Sequence, residues 1–214
     1  MSTSVIDDLE IAVPPSQIGG PTWPVALLFP RQGEWTEETY LALETNRLIE
    51  LSDGCLEVLP MATLVHQCIV IFLSAALYDH VKAQGLGYVV TAPLPIRLGP
   101  GKMREPDVLY LRPNRVSDPK LPPNGADFVI EVLSPGPDNQ ERDLVTKKEE
   151  YAQAGIGEYW IVDPELKRIS VLVLDGGQYR EEGQYGPGQT VNSAMLPGFQ
   201  VDVTAVFAPP LGQV

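Results

Sequence analysis

Cysteine and histidine are scarce in this 214-residue chain, at two residues of each kind. Cys55 and Cys68 form neither a CxxC pair nor a disulfide framework, and with His66 and His80 they make no zinc-finger spacing. Basic residues are few as well: fifteen Lys and Arg face twenty-eight Asp and Glu, for a net charge of -13. Such a chain is soluble and self-repelling, and its surface as a whole is a poor partner for a long polyanion. The greasiest run, "CIVIFLSAALY", is shorter than the roughly 20 residues a bilayer span needs, and the acidic N-terminus lacks the apolar core of a signal peptide. Neither secretion nor membrane insertion is expected, and a reducing cytoplasm suits the free thiols. Two nucleotide and nucleophile motifs are also missing. "LGPGKM" lacks the upstream glycine and the Ser/Thr of a phosphate-binding loop, and no G-x-S-x-G elbow occurs.

What is present reads as one folded unit. Residues 1–30 are rich in Pro and Gly with little periodicity and read as an extended or partly disordered arm; residues 31–214 read as a single domain. Thr36, followed by Glu37 and Glu38, is a helix N-cap with acidic residues in the first turn. "RLIELSDGCLEVLP" is a hairpin about Asp53-Gly54. Thr63 to Gln84, closed by Gly85, reads as a long and largely buried helix. "GYVVT", "LPIRL", "DVLYL", "DFVIEVL" and "EYWIVD" supply central strands. A helix opening near Asp138 or Asn139 and ending near Gly155 joins the last two, and "RISVLVLDGGQYRE" makes a second hairpin. The expected architecture is a mixed β-sheet flanked by helices, of α/β or α+β type.

Two placements are costly. Alternation along "DFVIEVL" sends Phe128, Ile130 and Val132 to one face and Val129, Glu131 and Leu133 to the other. Both faces are apolar, as in a central strand covered on both sides, so Glu131 needs a cation or a proton. The next helix offers the cation: Leu144, Lys147, Lys148, Tyr151 and Ala154 share one sector at 100° per residue, and periodicity leaves Lys147 and Lys148 equivalent. Asp107 opens "EPDVLYL" after Pro106. Two carboxylates on neighbouring strands make an oxygen-rich site for Mg²⁺, a cation that keeps several of its waters.

"REPDVLYL", "DFVIEVLSP" and "RDLVTKKEEYAQAGIGEYWIVDP", with "IELSDGCLEVLP" before them and "LPGFQVDVTAVF" after, resemble the Uma-type restriction-endonuclease family of the PD-(D/E)XK nuclease superfamily. The resemblance spans about residues 35 to 207. It implies a restriction-endonuclease-like fold with additional N- and C-terminal β-hairpins, metal-binding carboxylates at Asp107 and Glu131, and a cofactor of Mg²⁺ or Mn²⁺. Leu133 stands where the superfamily lysine belongs, two residues after the strand carboxylate, and the family places that lysine on the following helix. The family spacing falls on Asp143, Lys147 and Tyr151, which selects Lys147 over Lys148. Glu50 and His66 match further positions that the family fills, although an ordinary strand carboxylate and a core histidine account for them equally well.

The implied activity is a metal-dependent endonuclease acting on DNA, and double-strand cutting implies a homodimer. Two alternatives stand beside it: a non-catalytic interaction module on the nuclease scaffold, and a metal-dependent hydrolase of small phosphoesters. The charge of -13 favours the first alternative. A local basic rim of Arg97, Lys102, Arg104, Arg112 and Arg115 around Asp107 would favour the nuclease.

Overall fold

The computed structural model describes residues 29–43, 47–136 and 142–208. The N-terminal arm read for residues 1–30, apart from its last two residues, and the helix opening near Asp138 or Asn139 lie outside the described residues.

Thr36 caps α1 (Glu37–Leu41). Its hydroxyl accepts from the Thr39 N–H, and the Thr39 hydroxyl accepts from the Thr36 N–H at 2.9 Å, closing a reciprocal cap. The first hairpin follows as β1 (Ile49–Ser52) and β2 (Cys55–Val58), turned by Asp53 and Gly54 at φ 48° and 80°. Glycine is required at 54: an added Cβ would stand 2.7 Å from the Gly33 carbonyl oxygen.

Helix α2 runs Leu64–Gln84, with Thr63 accepting from the His66 N–H and Gly85 closing it at φ 65°. By length and apolar content alone it is long enough to cross a membrane, longer than the central greasy run suggests. Only one face is buried, through His66, Ile69, Val70, Leu73, Leu77 and Val81; Leu64, Ile71, Phe72 and Tyr78 are exposed. The helix is therefore not buried all round, because a single sheet covers it on a single side.

That sheet has six strands in the order β10-β9-β8-β7-β6-β3: β3 (Tyr88–Thr91), β6 (Val108–Leu111), β7 (Phe128–Val132), β8 (Glu158–Asp163), β9 (Arg168–Asp175) and β10 (Gln178–Tyr185). It is mixed. β7 and β8 pair in parallel, with Glu131 opposite Ile161, and the other neighbours are antiparallel. The strand-helix-strand unit thus joins parallel neighbours, whereas the β9–β10 hairpin continues the main sheet rather than standing outside it. β4 (Ile96–Gly99) departs from expectation. It pairs with β5 (Lys102–Arg104), a strand hidden in the glycine-rich "LGPGKMR", in a four-stranded sheet of order β2-β1-β5-β4. The C-terminal region adds β11 (Thr190–Asn192), β12 (Gln200–Asp202) and the short α4 (Val203–Val206).

β7 lies at the centre and is buried along its length. Phe128, Ile130 and Val132 join the core under α2, while Val129 and Leu133 join the core under the helix that follows β7. The two-faced reading of this strand holds residue by residue, and it places Glu131 on the second face.

Candidate active site

After β7 the chain re-enters the described region as a π-helical turn, Arg142–Thr146, which runs into α3 (Lys147–Gln153). The wider turn re-aims the helix. Asp143, Lys147, Glu150 and Tyr151 are buried, whereas Leu144 is exposed and Lys148 half-buried. The expected inward sector is therefore corrected at Leu144, and the choice between adjacent lysines falls on Lys147.

Lys147 Nζ lies 2.8 Å from Glu131 Oε1, 3.2 Å from Glu50 Oε1 and 3.4 Å from Asp143 Oδ1. The Tyr151 hydroxyl donates to the same Glu131 Oε1 at 2.6 Å. Lys147, Glu131 and Tyr151 are all essentially closed to solvent. Burial favours the neutral amine, but Glu131, Glu50 and Asp143 outweigh it and hold the Lys147 ammonium well above the ordinary lysine range. Burial also drives the Glu131 carboxyl upward; Lys147 opposes that push, and the charges of Asp107, Asp143 and Glu50 add to it.

Asp107 precedes β6 and turns back across the sheet toward β7. Its Oδ2 accepts from the Val132 N–H at 2.8 Å and lies 3.2 Å from His66 Nε2 on α2. Burial works against the His66 cation, yet the hydrogen bond to Asp107 and the charges of Asp107 and Glu131 raise its pKa overall. His66 thus braces Asp107 from α2, and the Val132 backbone also favours the charged form of the histidine. Its Nδ1 is buried and has no hydrogen-bond partner among the described residues.

Asp107, Glu131, Lys147 and His66 line a pocket of about 370 Å³. Asp143, Arg142 and Glu105 line it too. Glu50 does not: fully buried, it takes Arg104 Nη1 at 2.9 Å, the Glu105 N–H at 2.9 Å and Lys147, and so positions neighbouring residues from behind the pocket.

Three participants escape sequence reasoning. Glu105 is buried, accepts from the Tyr40 hydroxyl at 3.2 Å through Oε1, and has no partner for Oε2 among the described residues. Burial pushes its carboxyl up to about 7. The i, i+2 spacing of Glu105 and Asp107 is the one signal that points to it. Arg104 is wholly enclosed and pairs with Glu50, Glu57 and Glu150, the third of these at 2.7 Å. No local pattern announces Arg104 or Glu150, since the partners come from three distant elements.

The expected basic rim is not available. Arg97 pairs with Glu37 at 2.8 Å, Lys102 with Asp53 at 2.8 Å and Glu150 at 3.1 Å, and Arg112 and Arg115 both flank Asp127. Arg104 is inside the protein. Arg112 and Arg115 share the single carboxylate of Asp127, and none of the five residues lines the pocket.

The pocket's donor set fits a hard cation that keeps most of its water. Among the described residues no group of three or more His, Cys, Asp or Glu side chains forms a metal cage. Two carboxylates do converge, and among the described residues no donor reaches Asp107 Oδ1 or Glu131 Oε2, while the other oxygen of each is held. One or two carboxylates plus water is the coordination Mg²⁺ usually accepts.

A mixed sheet with a buried carboxylate in its central strand, a second carboxylate beside it and a lysine arriving from the next helix defines a restriction-endonuclease-like α+β protein. Residues 37–204 match the model of the Uma2 family, described as "Putative restriction endonuclease", and the chain belongs to that family. Among solved structures, it resembles a protein from Anabaena variabilis ATCC 29413 described as a "putative nuclease belonging to DUF820", with a TM-score of 0.67 and 19% identity over 81% of this chain and 97% of that one. No curated protein matches the chain.

Proposed function

We propose that the protein is a divalent-cation-dependent nuclease that hydrolyses phosphodiester bonds in DNA. The observation that carries the reading is the meeting, on one pocket wall, of a fixed carboxylate pair with a buried ammonium 2.8 Å from one of them. Membership of a restriction-endonuclease family supports it.

In this reading Asp107 and Glu131 hold Mg²⁺, or Mn²⁺ in its place. The chemistry that such a cation would supply at these two carboxylates is polarisation of the scissile phosphate and a lowered pKa for an attacking water. The protein's own groups do the rest. Val132 N–H and His66 fix one oxygen of Asp107; Lys147 and Tyr151 fix one oxygen of Glu131; the second oxygen of each would remain available to a cation. The Lys147 ammonium also steadies negative charge that develops on the phosphoryl oxygens, inside a site where water screens little. Two such sites, hence two copies of the chain, are needed to sever both strands of a duplex.

The test is incubation of purified protein with Mg²⁺ or Mn²⁺ and supercoiled, linear and single-stranded DNA, in parallel with Lys147→Ala and Glu131→Gln. Cleavage lost in both variants supports the assignment; cleavage that survives both refutes it. A second reading, a non-catalytic interaction module, is favoured by the ion pairs that occupy the rim arginines. Wild-type protein that leaves DNA and small phosphodiesters intact with either metal would decide for that module. Hydrolysis of small phosphoesters alone would point to the third alternative.

A further inference from the structure

The pocket reaches well beyond its charged groups. Leu48, Leu59 and Pro60 from the flanks of the first hairpin, Val70 and Ile71 from α2, and Pro93 after β3 supply much of the remaining lining. Leu48, Leu59, Pro60 and Ala62 are shared with a second cavity of about 450 Å³, to which Arg47 and Met61 contribute. The charged centre thus has an apolar wall within its own pocket and adjoins one further cavity of mixed lining, rather than a broad, flat basic face.

This arrangement suits a particular form of nucleic acid. Duplex binding draws its affinity from Lys and Arg that neutralise phosphates along the helix, and here Arg97, Lys102, Arg112 and Arg115 stand against carboxylates and none of them lines the pocket, in a chain of charge -13. An unpaired nucleotide needs fewer cations than a duplex, because part of its affinity comes from packing the exposed base against apolar side chains. A cavity of about 370 Å³ holding Lys147 and Arg142 beside two cation-binding carboxylates supplies both the apolar side chains and the few cations.

Resting on the nuclease reading above, we infer that the substrate is unpaired DNA, a single strand or the frayed or tailed end of a duplex. One nucleotide enters the site pocket base-first against the apolar lining, and its neighbour lies in the compartment beside Arg47 and Met61. In this arrangement one active site suffices for each cut, so a homodimer is not required.

The test uses one sequence in three forms, each with Mg²⁺ or Mn²⁺: a single strand, a blunt duplex, and a duplex with a single-stranded tail. The inference expects kcat/KM for the single strand and the tail to exceed that for the blunt duplex at least tenfold, with cuts confined to the tail. It also expects single-strand affinity to vary with salt at a log-log slope of about two or less. Ile71→Asp alters an exposed lining residue outside the charged cluster. It should raise KM for the single strand at least fivefold and leave kcat within threefold. Equal cutting of the blunt duplex, or an unchanged KM in Ile71→Asp, overturns the inference and leaves the nuclease reading standing. Failure to cut any form overturns the nuclease reading and this inference with it.

Discussion

Lys147 meets Glu131 from outside the strand that carries the carboxylate: its Nζ approaches Oε1 to 2.8 Å across the gap between α3 and β7. Two residues after Glu131, one beyond the end of β7, stands Leu133, which is buried in the core beneath α3. A lysine at 133 would therefore be aimed into hydrocarbon, whereas α3, packed over that face, delivers its ammonium directly to the carboxylate. The Tyr151 hydroxyl, one helical turn on, binds the same oxygen.

Removing Lys147 leaves Glu131 and Glu50 enclosed without their common cation. Breaking a buried pair from one side typically costs about 3–5 kcal/mol, because the surviving charge stays desolvated. Lys147→Met is expected to lose stability on that scale in urea unfolding, and Lys147→Met combined with Glu131→Gln to recover part of the loss. A double variant no more stable than the single one would show that Glu131 is not what Lys147 holds.

Cation binding has a readout independent of catalysis. If Asp107 and Glu131 hold Mg²⁺ in the folded state alone, saturating metal at a hundred times its Kd stabilises the fold by about 2.7 kcal/mol. The wild-type thermal midpoint should rise with Mg²⁺, and those of Asp107→Asn and Glu131→Gln should not. A metal-dependent rise that persists in both variants would place the cation elsewhere.

Glu50 sets an acid limit. Burial alone would raise its carboxyl, but Lys147, Arg104 and the Glu105 N–H outweigh burial and hold its pKa below the ordinary value of 4.5. The folded form therefore binds this proton less tightly than the unfolded chain does. Its contribution is fully present above pH 4.5 and declines as pH falls from there through the depressed folded value. Glu50→Gln should flatten that part of the stability-pH curve, measured by denaturant unfolding from pH 6 downward. An unchanged slope would mean that Glu50 is not charged in the folded protein.

The sequence reveals what short-range rules govern. Glu131 stands out because alternation is strict in a strand and both of its faces are apolar; Thr36, Thr63, Asp53-Gly54 and Gly85 declare their caps and turns for similarly local reasons. Periodicity leaves Lys147 and Lys148 equivalent because a uniform 100° step is blind to the π turn, whereas the family spacing selects Lys147, the one that the structure buries. β5 is illegible in the sequence because three residues beside a glycine-rich turn carry no usable period, and the sheet to which β4 belongs is illegible because strand partners are set by tertiary packing. The basic rim failed for the same reason. Charge counted along the chain is blind to Glu37, Asp53, Glu150 and Asp127, which lie far from their partners in sequence and against them in space.

Arg104 makes the sharpest structural contrast with a surface arginine. Its guanidinium is fully enclosed and divides its donors among Glu50, Glu57 and Glu150, with Nε to Glu150 at 2.7 Å and Nη1 to Glu50 at 2.9 Å. Arg180, by comparison, pairs at 2.7 Å with Glu182 in solvent. Geometry is similar at the two sites and energy is not, because the exposed pair exchanges one hydrated state for another while loss of Arg104 strands buried carboxylates. Arg104→Met should lower unfolding stability by about 3 kcal/mol or more, against roughly 0.5 kcal/mol or less for Arg180→Ala. It should also loosen Glu50, which contacts Lys147, so nuclease activity should fall even at temperatures where the variant remains folded. Equal stability losses in the two variants, measured side by side in urea, would mean that the cluster around Arg104 is hydrated rather than sealed.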